Sequence, residues 1–397
     1  MTGAYANNEL TGNALQEFRL LARDYRSVYT KPDIFDNHAT SLNLTVRRAS
    51  RANVLLTGNA YYRRISTSAT SGDSNEGALD QSVYQPNAVE RTALRQAGYT
   101  DVPSSGASAA NTPFPFLRCV ANVLLNDEPG EKCNGLINTS SSLQHNYGLG
   151  GQAMWTKPVA GRVHQITIGG GYDGSRVDFR QQTELGYLNP DRTVTGLGVF
   201  ADGVSGGTID GEPFDTRVDL GGRINTVSAF VADTIALGPA WKLSASGRYN
   251  RTTVANRDRI RPGGLAVDAA SLDGDHAFSR LNPAVGVTYD PRPALNFYAG
   301  YSEGSRAATS IELGCANPAA PCRLPNSLAG DPTLDQVVAK TWEAGIRAGG
   351  RGRWRWNAGF FHAENHRDIL FVASPQTVTA TTRQASNSRP RTTQKRA

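Results

Sequence analysis

No run of about 20 consecutive apolar residues, the length a helix needs to cross a bilayer, occurs anywhere in the 397-residue sequence, which excludes a helical membrane span. Met1–Asn8 has neither the basic start nor the apolar core of a secretory signal, so as written the chain is expected to carry no export address. Long acidic and Gln-rich tracts are also missing, and aromatic residues make up 8%, which argues against disorder over most of the length. Residues 375–397 contain no acid, and there Arg383, Arg389, Arg391, Lys395 and Arg396 supply +5 of the net +6. The remainder is nearly neutral, leaving no basic face for a nucleic acid. Only four cysteines are present, Cys119 and Cys133 in one polar segment and Cys315 and Cys322 in another. Each local pair reads as a loop disulfide in an oxidising compartment; zinc is the rival, but C-x-x-C spacing is lacking.

Catalytic signatures are equally scarce. Gly169–Gly174 satisfies G-x-G-x-x-G, but the residues that follow alternate as a strand instead of opening the helix that a dinucleotide phosphate needs. His362 and His366 lie four apart on a strand-like segment, about 13 Å, too far to share one metal ion. No G-x-S-x-G string has a strand-turn-helix context. The expectation is a protein that is not an enzyme and holds no cofactor or metal.

What is present is alternation. In Trp241–Asn250 one face reads Trp, Leu, Ala, Gly, Tyr and the other Lys, Ser, Ser, Arg, Asn, the period of a strand between an apolar and a wet environment. Val54, Leu56, Gly58, Ala60 and Tyr62 repeat it, as do Tyr147, Leu149, Gly151, Ala153 and Trp155, and again Leu295, Phe297, Ala299 and Tyr301. Aromatics fall near the ends of the apolar faces, as in a lipid-facing band with interfacial girdles. Tyr62, Trp155, Trp241, Tyr249 and Tyr301 are the candidate membrane-interface aromatics. Short turns near 47–52, 157–161, 237–240, 290–293 and 349–353 alternate with long polar segments at about 67–140, 181–216, 255–276 and 307–338. This predicts five hairpins, 40–64, 143–180, 217–254, 278–306 and 339–373, or roughly ten strands. Residues 3–8 read as the end of a further strand with no partner upstream. Within the first long loop, Pro86–Asn87, a helix-forming run to Ala97 and Gly98 predict a short surface helix. The fold class expected is all-β: an antiparallel transmembrane β-barrel fragment, about ten strands of a larger up-and-down barrel, with long extracellular loops. It occupies 1–374. A disordered basic tail, 375–397, reads either as an out-of-frame stretch or as a natural extension.

Several strings are similar to segments of one family. Tyr5–Asn13, Val28–Ile34, Gly58–Arg63, Leu281–Tyr289, Tyr298–Ala307, Thr341–Arg347 and Asp368–Val372, in this order and spacing, resemble barrel strands of TonB-dependent outer-membrane receptors of the ferric-siderophore type. The resemblance implies a 22-stranded barrel around an N-terminal plug, in the outer membrane, with outer-membrane lipid, the TonB complex and a siderophore-like ligand as partners of the intact parent. It also implies that signal, TonB-contacting segment, plug and final strands are missing here, so that this fragment alone is not expected to transport. Ligand selection in such receptors involves outer loops; Tyr84, Tyr99, Phe114, Phe116 and Phe214 are loop aromatics placed either to touch a ligand or to pack their own loop. Arg306 and Glu343, on strands flanking the fourth loop, are a candidate ion pair on the lumen wall, against the alternative of a solvated pair worth little. A passive porin-like barrel and a secreted or surface β-rich adhesion module are the competing readings.

Overall fold

The computed structural model describes residues 1–368 apart from 13–15, 51–52, 76–77, 79–83, 109–115, 203–207, 210–211, 214–215, 261–271, 315, 318–319, 322–333 and 350–353. Cys315, Cys322, Phe114, Phe214 and the tail 375–397 therefore lie outside the described residues, as does the part of the last predicted strand beyond 368.

A single antiparallel sheet of twelve strands dominates. In chain order they are β1 (Thr2–Thr11), β2 (Asp33–Ala49), β3 (Val54–Ser74), β4 (Gly135–Val159), β5 (Arg162–Leu188), β6 (Val194–Phe200), β7 (Val218–Ala236), β8 (Trp241–Asp258), β9 (Gly274–Arg292), β10 (Leu295–Arg306), β11 (Val337–Ala348) and β12 (Trp356–His366). Each pairs with its sequence neighbour, except that β5 pairs with β7 up to Gln181–Val218 and with β6 beyond it. The five predicted hairpins are all present, and the N-terminal segment is a ten-residue edge strand paired with β2. At the other edge β12 is exposed throughout, and among the described residues nothing pairs β12 with β1. The sheet is an open portion of an up-and-down barrel.

Turn chemistry sets the register. Between β4 and β5 only Ala160 and Gly161 intervene, at φ 49° and 77°. That is the doubly left-handed turn whose twist matches an antiparallel pair, and glycine adopts it without a Cβ penalty. From there β4 and β5 stay in unbroken register for 25 pairs, from Val159–Arg162 to Gly135–Gly186. The Gly169–Gly174 string lies inside this ladder as ordinary strand. Strands of 25 and 27 residues exceed the 9–11 that a tilted strand needs to cross a bilayer, so their far halves project past any apolar band. Apart from the five-residue turn Asn189–Thr193 that folds β5 back into β6, the short connections lie at one end of the sheet and the long ones at the other.

The two faces are chemically distinct. Following one hydrogen-bonded row gives Val54, Trp155, Ile166, Asp233, Ala245, Val285, Tyr301 and Trp342 on a single face. The same face carries Leu149 at 63% exposure, Ile168 at 50% and Val231 at 51%. Large aliphatic side chains left bare over so many strands mean a face built for an apolar surround. The opposite face bears Tyr61, Asn146, Asp173, Arg248 and Asn250, joined by bonds such as Tyr61 Oη to Asp173 (2.7 Å) and Arg248 to Asn250 (2.9 Å). We call the apolar face outward and the polar one inward.

Candidate ligand-facing site at the loop end

Two packed blocks close over the inward face where the strands run into their long connections. The first is built from residues 84–108 and 116–134. Its leading helix, α2 (Ala88–Gln96), is the predicted surface helix; it follows α1 (Phe18–Arg23) in the chain. Asn87 accepts from the N–H groups of Val89 and Glu90, and Glu90 accepts from the Asn87 N–H at 2.7 Å, a reciprocal cap that satisfies the orphan donors of the first turn. Leu94, fully buried, then packs on Val102, Leu117, Val120 and Ala121. The last three come from α3 (Phe116–Leu125), which composition did not flag although its ten residues are mostly apolar. Tyr84, Tyr99 and Phe116 pack around this cluster together with Tyr187 of β5 and Leu197 of β6. These three loop aromatics thus fill their own loop's core.

The Cys119–Cys133 disulfide ties α3 to α4 (Pro129–Lys132) across a separation of 14 residues. Closing a loop of that size removes about 3 kcal/mol of chain entropy from the unfolded ensemble. Asn75, at the end of β3, donates to the carbonyls of Gly130 and Cys133, fastening the block to the sheet.

The second block is α5 (Ser310–Gly314). Arg306 at the end of β10 reaches Glu312 with two hydrogen bonds, 2.8 and 3.1 Å, while Glu312 also accepts from the Thr309 N–H at 2.7 Å. Asn256 of β8 donates to the Ser310 carbonyl at 2.7 Å. Ala308 and Leu313 pack on Val254. Gly222 of β7 makes room: a Cβ there would run into the Ser310 side chain. The expected Arg306–Glu343 pair does not form. The register puts Arg306 opposite Val337 and Glu343 opposite Gly300, six residues along β10, which is about 20 Å. Glu343 is on the inward face well below the loop, and Glu312, inside the loop itself, takes the arginine.

Burial raises the Glu312 carboxyl, but the Arg306 guanidinium and the Thr309 hydrogen bonds outweigh it and the net shift is downward. A lowered folded value means that the ionised pair stabilises α5 above the ordinary glutamate range, about 4.3, and that this contribution is lost as pH falls through the lowered value. Amide exchange of Ser310–Gly314 is therefore expected to accelerate at acid pH in the native chain, and to lose that dependence in Glu312→Gln. An unchanged acid response in the variant would contradict it.

Between the sheet and the segment that leads into α5 lies a cleft of about 300 Å³ bordered by Thr226, Arg248, Asn250, Thr252, Ser305 and Thr309, with Ile224, Ala307, Ala308 and Gln336. Six of its ten lining residues carry a hydroxyl or amide group, three are aliphatic, and Arg248 is a cation. Arg248 bonds neutral partners, Ser228 and Asn250, both at 2.9 Å, and stands 5.9 Å from the Phe230 ring centre. Among the described residues it has no carboxylate partner, so its charge is available to an anion.

The predicted aromatics Tyr62, Trp155, Trp241, Tyr249 and Tyr301 all fall on the outward face by register. Trp241 stacks on Tyr289 at 4.3 Å, and Tyr301 packs on Trp342 at the same distance. Trp241 and Tyr249 are eight residues apart on β8, about 27 Å along the strand, or about 20 Å in depth at a barrel tilt near 40°. On β12, His362 and His366 both approach Glu364, at 3.1 and 3.7 Å.

Residues 3–395 match the family described as TonB dependent receptor-like, beta-barrel. A search of curated proteins found no match. Among solved structures, the ferric citrate transporter FecA in its unliganded form aligns with a TM-score of 0.55 and 13% identity, over 92% of this chain and 40% of that one. The ferric-catecholate import receptor Fiu from K12 E. coli aligns with a TM-score of 0.51 and 12% identity, over 86% of this chain and 43% of that one. The chain thus spans less than half the length of either.

Proposed function

The chain belongs to the TonB dependent receptor-like β-barrel family, and from that premise we propose that it forms part of the wall and outer loops of an importer for a scarce anionic iron complex, of the ferric-siderophore class. The family is one of outer-membrane receptors, not of enzymes. The observation that carries the ligand class is Arg248: an arginine without a carboxylate partner among the described residues, in a hydroxyl-lined cleft on the inward face, under a loop held by Arg306 and Glu312. Oxygen-rich anions suit such a lining, since guanidinium supplies charge-assisted hydrogen bonds and the hydroxyls supply orientation. The outward face, with Tyr62, Trp155, Trp241, Tyr249 and Tyr301 bounding its aliphatic side chains, is the lipid contact. Because a sheet edge in lipid leaves backbone groups unpaired, at several kcal/mol each, β1 and β12 need further strands before a transport-competent barrel closes. This portion by itself does not transport.

Equilibrium binding of ferric citrate and of a ferric tris-catecholate to the full chain in detergent, beside Arg248→Gln, tests the reading. Saturable binding of one of these anions is expected, weakened about tenfold in the variant. Binding no stronger than that of a neutral disaccharide, or undiminished in Arg248→Gln, would sink the proposed ligand class.

A further inference from the structure

One row on the outward face is not explained by an apolar band. In hydrogen-bonded register Arg64 stands opposite His145, His145 opposite Arg176, and Arg176 opposite Arg223. Four basic side chains thus fill consecutive positions on β3, β4, β5 and β7, a row about 14 Å long at the usual strand spacing. The three arginines are exposed, while Val177 and Gly222, adjacent in sequence, are buried on the inward side. Like charges placed directly opposite each other destabilise a sheet, and the nearest acids on the same face, Asp178 and Asp219, are held by other arginines. Arg259 engages Asp178 and Asp219, Arg180 also holds Asp219, and Arg257 holds Asp275. Among the described residues Arg64, Arg176 and Arg223 have no ion pair.

The row also has a fixed level. Arg64 lies two residues past Tyr62 on β3, His145 two residues beyond Tyr147 on β4, and Arg251 two residues past Tyr249 on β8, in each case toward the loop end. His145 Nδ1 and Tyr62 Oη are 2.7 Å apart, which orients the imidazole. Outward tyrosines mark the depth at which an apolar band meets water, so cations one step beyond them stand at headgroup level. The row faces away from α5 and the cleft, which separates it from the ligand site.

We propose that Arg64, His145, Arg176 and Arg223 bind the phosphate groups of a phosphorylated lipid headgroup in the outer leaflet. The inference rests on the reading that the outward face contacts lipid. Guanidinium groups offer paired donors matched to phosphate oxygens, and two of them side by side, Arg176 and Arg223, gain most from an anion placed between them.

The test uses the full chain in dodecylmaltoside micelles doped with bisphosphorylated lipid A or with the same lipid stripped of phosphate. The native chain is expected to prefer the phosphorylated lipid about tenfold or more, with the preference shrinking as salt rises. The double variant Arg176→Gln/Arg223→Gln should lose that preference, while Arg63→Gln, on the inward face of β3, should keep it. Equal binding of both lipids by the native chain overturns the proposal even if the double variant fails to refold; so does an unaltered preference in a folded double variant. Quenching of tryptophan fluorescence by brominated phosphatidylcholine is read separately. A quenched chain without headgroup preference overturns this inference alone, and an unquenched chain removes the lipid-facing reading and the inference with it.

Discussion

Ile168→Arg is expected to weaken the chain's stability in lipid vesicles by about 2–4 kcal/mol, the cost of arginine on the lipid face near the bilayer midplane. Ile168 is half exposed and outward, with Ala153 and Val231 beside it in the row. On β5 it lies four residues from His164 toward the short-turn end and four from Tyr172 toward the loop end, so it marks the middle of the apolar band. The preceding residue, Thr167, points inward between Met154 and Ala232. Thr167→Arg is expected to be tolerated, because an inward side chain of that length meets water. Urea unfolding in phosphatidylcholine vesicles, followed by tryptophan fluorescence, measures both. Equal losses at the two neighbouring positions would mean that the two faces meet the same environment, and the assignment of the outward face would fall.

The same facial asymmetry explains how far the fold could be read in advance. Alternation is visible only where one side of a strand meets an apolar surround and the other meets water. That holds for Val54–Tyr62 and Trp241–Tyr249, and the hairpins carrying them were legible. Beyond the band both faces are wet and the pattern fades. The Ser/Thr-rich stretch Thr67–Ser74 and the segment Gly135–Ser140 therefore read as loop, although they pair residue by residue as the outer halves of β3 and β4. Register, being a property of two strands at once, was out of reach from either strand alone. This is why Arg306 and Glu343, each correctly set on a strand, were matched with each other when their rows are six residues apart. The cationic row is invisible for the same reason: Arg64, His145, Arg176 and Arg223 are scattered in sequence and meet only through three successive registers.

Within the loops, local chemistry decided what could be foreseen. α2 announced itself through Asn87, Glu90 and Gly98, a start and a stop that act within a few residues. α3 stops at Asn126, which takes up the left-handed region at φ 51°, a signal the sequence reading passed over, and its apolar run packs as the partner of α2. The disulfide partners Cys119 and Cys133 were close enough in sequence for their pairing to be expected, and the structure joins them.

That packing of α3 on α2 makes Leu94→Ala the most damaging single change expected in the loop layer, about 2–5 kcal/mol for a fully buried leucine cut back to a methyl group. Leu94 is the one α2 side chain that reaches the centre of the cluster, touching residues of α3 and the segment after α2. A nine-residue helix has little stability in isolation, so the loss of packing should release α2 as a unit despite its intact cap. The disulfide, which joins α3 only to α4, does not span the break. Amide exchange of Ala88–Gln96 is expected to speed up about 30-fold or more, at 1.4 kcal/mol per factor of ten, while the ladder between β7 and β8 keeps its native rates. Uniform acceleration over both regions would instead show that the α2–α3 block and the sheet open together as one cooperative unit.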